Sequence, residues 1–392
     1  MENLFPSSMS LIERCHKVAV EARGPGYLDK DLDVYDTATS YFLAVTAAYT
    51  FNWPKCRLYL GECLTMLSVI GLHKTSNHSP SGGGTSRSPK DNGNGSFPES
   101  GMDIITQEMV KRTFWVIFVS IRSIHQIGAS FREIWVYPDS ASKPYPDLPV
   151  EVDDAYIFHT HVLPQPKGII SELVGFNANV RVYNTYNDLY RMDIAYGPEE
   201  LYDWDHQRRV FDRCLQAAKQ VLRDVPTELM LGPGMGFNQF EQSRDYLGSA
   251  VPSYPETSDP RPYPNIEKDD TSVHRRTLQY EIQKANINGS QLATRCYIVE
   301  KYWNLYDKHR CIGSGNSTRN HSGNDSIADS PEIASFGYPP VPIGHFDPTE
   351  HEMASERENI IKDLLVVLGN ISQVSMEPNG ASLVSIIAIF DS

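Results

Sequence analysis

Apolar residues recur at intervals of three and four along most of this chain and nowhere alternate cleanly, so its ordered parts are constrained to pack as helices. Leu11, Cys15, Val18 and Ala22 keep that rhythm behind Ser10-Leu11-Ile12-Glu13, a capping-box pattern, and Gly24-Pro25-Gly26 stops the run. A second stripe, Ala38, Phe42, Val45 and Tyr49, follows Asp36 as a cap. A third, Cys56, Tyr59, Cys63, Leu67 and Ile70, follows Asn52, with Pro54 tolerated in its first turn and Gly71 as the left-handed stop. Helix, short turn, helix describes an αα-hairpin.

Two stretches rich in Gly, Ser, Asn and Pro interrupt this order, because they cannot bury enough apolar surface to offset chain entropy. Between them Asp103 or Thr106 caps a helix that is apolar on more than one face (Met109, Val110, Phe114, Ile117, Phe118, Ile121, Ile124), as a central helix is. A proline-rich extended segment over 134–166 follows, then helices at about 168–196, 204–223, 271–309 and 349–375. The last is announced by Asp347-Pro348-Thr349-Glu350. The expected fold is all-α, a multi-helix array of packed αα-hairpins interrupted by disordered polar insertions. Its parts are N-terminal hairpins over 1–75, a disordered insertion over 76–101, core helices over 102–312, a polar linker over 313–345 and C-terminal helices over 346–392. The apolar run over 381–390 has no amphipathic partner after it and reads as the mark of a truncated gene model.

Composition narrows the function. Lys and Arg number 35 against 49 Asp and Glu, a net charge of −14, which is a poor footprint for a free-standing nucleic-acid binder that must displace counterions from phosphate. The basic pairs Lys111-Arg112, Arg208-Arg209 and Arg275-Arg276 sit in helical patterns and read as solvated faces. No run of ~20 apolar residues spans a bilayer and no secretory leader is visible, so the seven Asn-x-Ser/Thr sequons read as chance products of polar loops. The six cysteines include no C-x-x-C pair. Cys56 and Cys63, seven apart, share one buried helix face, and all six are expected to be reduced thiols.

Catalytic signatures are missing. There is no GxSxG, HExxH or GxGxxG, and Gly232-Pro233-Gly234-Met235-Gly236 has the wrong spacing and a proline in the turn. Asp153-Asp154 is followed by Ala155-Tyr156-Ile157, which breaks a DDxxD run, and its two acids read as a helix cap or an arginine partner. His159-x-His161 offers two metal ligands without a third nearby. Glu108 and Arg112, four apart, read as a helical ion pair, and His73 as the cation at a helix C-terminus. No catalytic residue, cofactor or metal is expected in this chain.

Several of these features stand in a recognisable order: Gly71-Leu72-His73 closing a helical hairpin, then Glu108, Lys111, Arg112, Phe114 and Trp115 on a helix, then Arg122 and Gly128, then Leu148-Pro149 with Asp153 and Asp154. That order resembles the middle homology region of fungal zinc-cluster transcription factors. The departures are Ile121 in place of an aspartate, and Ala129-Ser130 in place of an Arg-Pro pair after Gly128. The resemblance covers about residues 35–160. It implies a nuclear, mostly helical regulatory body acting in DNA-templated transcription, with Leu148 to Asp154 most like regulators of sugar and carbon use. Its partners would be protein coregulators or a second copy, with a small-molecule effector. DNA and zinc would be engaged only through an N-terminal cluster domain missing from this sequence. The alternatives are a helical scaffold or dominant-negative interaction protein and, behind it, an uncharacterised all-α enzyme.

Overall fold

The computed structural model describes residues 7–71, 102–128, 134–140, 144–231, 270–317 and 348–376, with side chains placed for all but 270–274 and 313–317. Leu72, His73, the expected insertion, Asp347 and the apolar run over 381–390 lie outside the described residues, as does the expected linker beyond Ser317. The described chain is all-α, without a β-strand, and Ile157 and Val162 form an isolated antiparallel bridge. It divides into two compact units, Met1–Val180 and Arg181–Ser392.

In the first unit, α1 (Ser8–Arg23), α2 (Val34–Tyr49) and α3 (Trp53–Ile70) form successive hairpins, and α4 (Ile104–Gln126) packs on α2 and α3. α5 (Glu172–Asn184) begins within this unit. Asn52 caps α3 through the Lys55 N–H, Pro54 sits in its first turn, and Gly71 closes it at φ 91° and ψ 50°, a left-handed conformation that costs glycine nothing. Cys56 and Cys63 are both buried on that helix, as their spacing implies.

Two expectations need correction here. The caps of α1 and α2 are Ser7 and Asp33, each in a complete capping box. Ser10 and Asp36 are the reciprocal partners three residues on, a role open to the same residue types. The apolar stripe assigned to α1 faces the solvent, with Leu11, Cys15, Val18 and Ala22 exposed, and that of α2 is mixed, with Ala38 and Val45 half-buried but Phe42 and Tyr49 66% and 64% exposed.

A polar anchor holds the end of α1 and the inner face of α2. The Arg23 guanidinium donates to Glu62 Oε2 at 3.2 Å and to Ser40 Oγ at 2.7 Å, and it stacks on the Tyr27 ring at 3.6 Å. Ser40 donates to the same carboxylate at 2.8 Å, and the Tyr27 hydroxyl donates to its other oxygen. α2 buries Val34, Asp36, Thr37, Ser40, Leu43, Ala44 and Ala47, among which Thr37, Ser40, Ala44 and Ala47 are small enough to admit close approach to α3.

In the second unit the expected helix at 168–196 is two, α5 and α6 (Asn187–Tyr196), broken at Thr185-Tyr186. α7 (Trp204–Gln220) follows, then α8 (Asp270–Ser317), α9 (Pro348–Asn370) and the short α10 (Gln373–Met376). α8 has 48 residues, about 72 Å at 1.5 Å per residue, and α7, α9 and α10 all pack along it. Trp204, Phe211, Tyr302 and Tyr306 close the α7–α8 contact, with ring centroids 5.3 to 5.8 Å apart.

Burial pushes the Cys56 thiol up to about 11 and those of Cys63, Cys214 and Cys296 up to about 12, while Cys15 and Cys311 are exposed. An excess of an aromatic disulfide reagent at mildly alkaline pH should therefore titrate Cys15 and Cys311 rapidly and the other four only after unfolding. Fast reaction at any of those four would show that its helix face is not packed.

Candidate functional site

Of the residues singled out in the sequence, Glu108, Arg112 and Trp115 on one face of α4 meet the segment that carries Leu148, Pro149 and Asp154. The apolar, aromatic surface of α4 needs a cover, and the proline-rich segment after it supplies one. Phe114, Trp115, Phe118 and Tyr145 form a box with ring centroids 5.0 to 6.4 Å apart. Pro144 and Pro146 on either side of Tyr145 hold the backbone extended, so the ring is delivered with little entropy left to lose. The Trp115 indole N–H donates to the Asp147 carbonyl at 3.2 Å, which lets a buried tryptophan satisfy its one polar atom.

Glu108 ties the helix to the same segment. It is 4% exposed, and its two oxygens have different partners: Oε1 accepts from Lys111 Nζ at 2.8 Å and Oε2 from the Val150 N–H at 2.9 Å. The expected pairing with Arg112 does not form. Lys111, one turn along at i+3, faces the carboxylate, and the Arg112 side chain reaches Asp154 Oδ1 at 2.6 Å instead. Lys111 and Arg112 are therefore both engaged, not a solvated pair.

The two aspartates divide the roles expected of them. Asp154 is the arginine partner, with a side chain 81% exposed. Asp153 is the cap: its Oδ1 accepts from the Glu172 N–H at the start of α5 at 3.3 Å, and its Oδ2 accepts from Gln165 at 2.9 Å. Leu148 is half-buried and Pro149 buried, and the Pro149 carbonyl accepts from Asn177 Nδ2 at 2.9 Å. Asn177, on α5, also donates to Glu151 at 3.1 Å. Arg122 is fully buried with its guanidinium 4.9 Å over the Phe118 ring. Gly128, at φ +72°, turns the chain at the end of α4. Gly71 belongs to the hairpin end and not to this cover, and Leu72 and His73 fall outside the described residues.

Tyr145, Gln165 and Asn177 belong to the site, and the sequence reading missed all three. The proline-tyrosine-proline triplet was the available signal for the first. A single glutamine and a single helical asparagine carry none.

Chemically the arrangement is a clasp. Glu108, Asp153, Asp154 and His159 are each held by a different partner, His159 Nδ1 lying 3.4 Å from Asp103 Oδ1. Among the described residues no group of three or more His, Cys, Asp or Glu is placed to hold a metal ion, and no helix is long and apolar enough to cross a membrane. No family model, curated protein or solved structure matches the chain.

Two outcomes follow from this geometry. Trp115→Ala removes a buried ring and its carbonyl partner, and should destabilise the chain by about 3 to 5 kcal/mol in denaturant unfolding. A loss below ~1 kcal/mol would mean the box is not packed in solution.

Asp103 caps α4, accepting from the Thr106 N–H and hydroxyl, each at 3.0 Å. The Thr106 N–H, then its hydroxyl and His159, hold the Asp103 carboxyl below the usual range against a smaller opposing effect of desolvation. A depressed folded value stabilises the fold above the unfolded value of about 3.9, and this stability disappears as pH falls through the folded value. Asp103→Asn should therefore flatten the acid limb of stability against pH; an unchanged slope would show that the cap carries no net charge effect.

Proposed function

We propose that this chain is a non-catalytic regulatory body of the kind found in the middle homology region of fungal zinc-cluster transcription factors, working in the nucleus through contacts with protein coregulators. The observation that carries the reading is that two of its family-like motifs, the α4 group and the Leu-Pro-acidic segment, have a common physical task. Glu108, Arg112 and Trp115 engage the backbone and side chains of residues 147–154, about forty positions away in sequence, and Lys111 holds Glu108 in place. Motifs matched by chance along a chain have no reason to meet. Here their order is what lets a proline-rich strap close over a central helix.

A second reading, a helical scaffold, is favoured by the outer face of α2. Asp36 is that helix's only acidic or basic residue, and it is buried. Tyr35, Ala38, Phe42, Val45 and Tyr49 follow one another at steps of three and four, with both Tyr35 and Phe42 well exposed. A surface helix with an apolar outer seam and no exposed charge is suited to receive another helix.

One experiment addresses both. The full chain is placed between a heterologous DNA-binding module and an acidic activation segment in fungal cells. It should lower reporter output about fivefold or more relative to a flexible linker, the low end of a coupling of roughly 1 kcal/mol. Trp115→Ala should release the reporter by loosening the body. Phe42→Lys should release it at unchanged thermal stability if coregulators dock on α2. Equal output from chain and linker at matched protein levels would refute the regulatory reading.

A further inference from the structure

The second unit contains a cavity of about 280 Å³ between the residues that follow α7, the middle of α8 and the last turns of α9. Leu222, Val225, Leu229, Ile287, Leu292 and Val367 make its walls apolar. Three polar side chains also line it: Asn288, Gln291 and Asp363.

The hydrogen bonds these three already make decide what they offer. The Asn288 amide donates to the Lys284 carbonyl at 2.8 Å, and the Gln291 amide donates to the Ala218 carbonyl at 2.8 Å. Each amide thereby commits one of its two N–H groups and keeps the other, together with Asn288 Oδ1 and Gln291 Oε1. Asp363 uses Oδ2 to accept from Arg295 at 2.7 Å and keeps Oδ1. The side-chain positions left over at the cavity are thus two amides able to donate or accept and one carboxylate oxygen, the only charged group among them.

The surrounding charges leave Asp363 its negative character. Arg295 is shared with Glu356, to which its Nε donates at 2.6 Å and its Nη2 lies at 2.5 Å. Lys219 bridges Glu356 and Glu352. The connected set therefore holds two cations, Arg295 and Lys219, against three carboxylates, Glu352, Glu356 and Asp363. A ligand that fills the apolar walls and brings hydrogen-bond donors with positive charge would satisfy all three acceptors. An anionic head could take the remaining amide N–H groups but would lie beside the Asp363 carboxylate in a set that carries one excess negative charge, and that repulsion disfavours it.

From this geometry we infer that the cavity is a binding site for a small aliphatic ammonium compound, its hydrocarbon part among Leu222, Leu229, Ile287 and Val367 and its ammonium at Asn288, Gln291 and Asp363. This gives a chemical class to the effector of the regulatory reading and rests on that reading for its biological use. Binding itself is measured without transcription, so the two fail separately.

The probe is n-hexylammonium, titrated calorimetrically into the full chain beside hexan-1-ol and hexanoate. Saturable binding is expected with a Kd of about 0.1 to 1 mM, the range open to so few non-hydrogen atoms, with the alcohol weaker and the carboxylate silent. Asp363→Asn should weaken the amine about tenfold or more. Val366→Trp, at a half-exposed lining position, should abolish binding with the thermal midpoint retained. It also separates the cavity from loose association with an acidic surface. Hexanoate binding as tightly as the amine, no saturation by the amine, or equal binding to the Val366→Trp chain would each overturn the inference.

Discussion

A carboxylate taken out of water persists only if its charge and its lone pairs are met inside the protein, and Glu108 is where the first unit meets that demand. Lys111 supplies the charge from the same helix, and the Val150 N–H supplies the second hydrogen bond from a segment about forty residues later. The pairing works in both directions. A strap without regular structure has backbone groups to satisfy, and α4 offers it a fixed acceptor at Val150 and a fixed donor at the Trp115 indole. Once those two points are set, Tyr145 falls against Phe114, Trp115 and Phe118, and Asp153 arrives where α5 begins. The later helix is thus positioned through the strap and not by direct ridge-in-groove packing on α4 alone.

Periodicity revealed the helices but not which way they face. In α1 and α2 the steps of three and four picked out Leu11 to Ala22 and Ala38 to Tyr49; the first stripe lies outward and the second is mixed. The competing faces contain Arg23 and Ser40, residues that count as polar in any pattern, yet they are drawn in because Glu62 binds both. A hydrophobic count cannot see a satisfied buried network, since its members look like surface until their partners are known. α3 was readable because Cys56, Cys63 and Leu67 of the predicted stripe are themselves buried, with Glu62 beside them as the acceptor for Arg23 and Ser40.

The same distinction governs the clasp. Trp115, Pro149 and the acidic pair were legible because each has a narrow set of physical uses: a large ring, a fixed φ, a cap or ion pair. The partners of Glu108 and Arg112 were not, since Lys111 and Arg112 are equivalent as cations, and Glu108 and Asp154 as anions, until the fold orders them. Asn177 shows the limit. An asparagine inside a helix is ordinarily an unfavourable choice, and only the unpaired Pro149 carbonyl opposite gives it a reason to be there.

Buried ions recur in the second unit, and there they answer a different problem. Apolar contact along a helix as long as α8 is nearly indifferent to a slip of one turn, about 5.4 Å, because leucine-like surface repeats at that distance. Charge pairs are not indifferent. Arg357 donates twice to Glu300, at 2.8 and 2.6 Å, Arg295 grips Glu356, and Lys301 reaches Asp193 at 2.5 Å with the Tyr297 hydroxyl on the other oxygen. Desolvation pulls the Lys301 ammonium below the ordinary lysine value and Asp193 opposes it, so breaking that contact by a slip would leave an uncompensated buried charge. These pairs therefore set the register of α6 and α9 on α8. A fixed register is also what allows a gap between α8 and α9 to keep a defined shape, with Asp363 on the rim held in place by Arg295, one of the same register-setting residues.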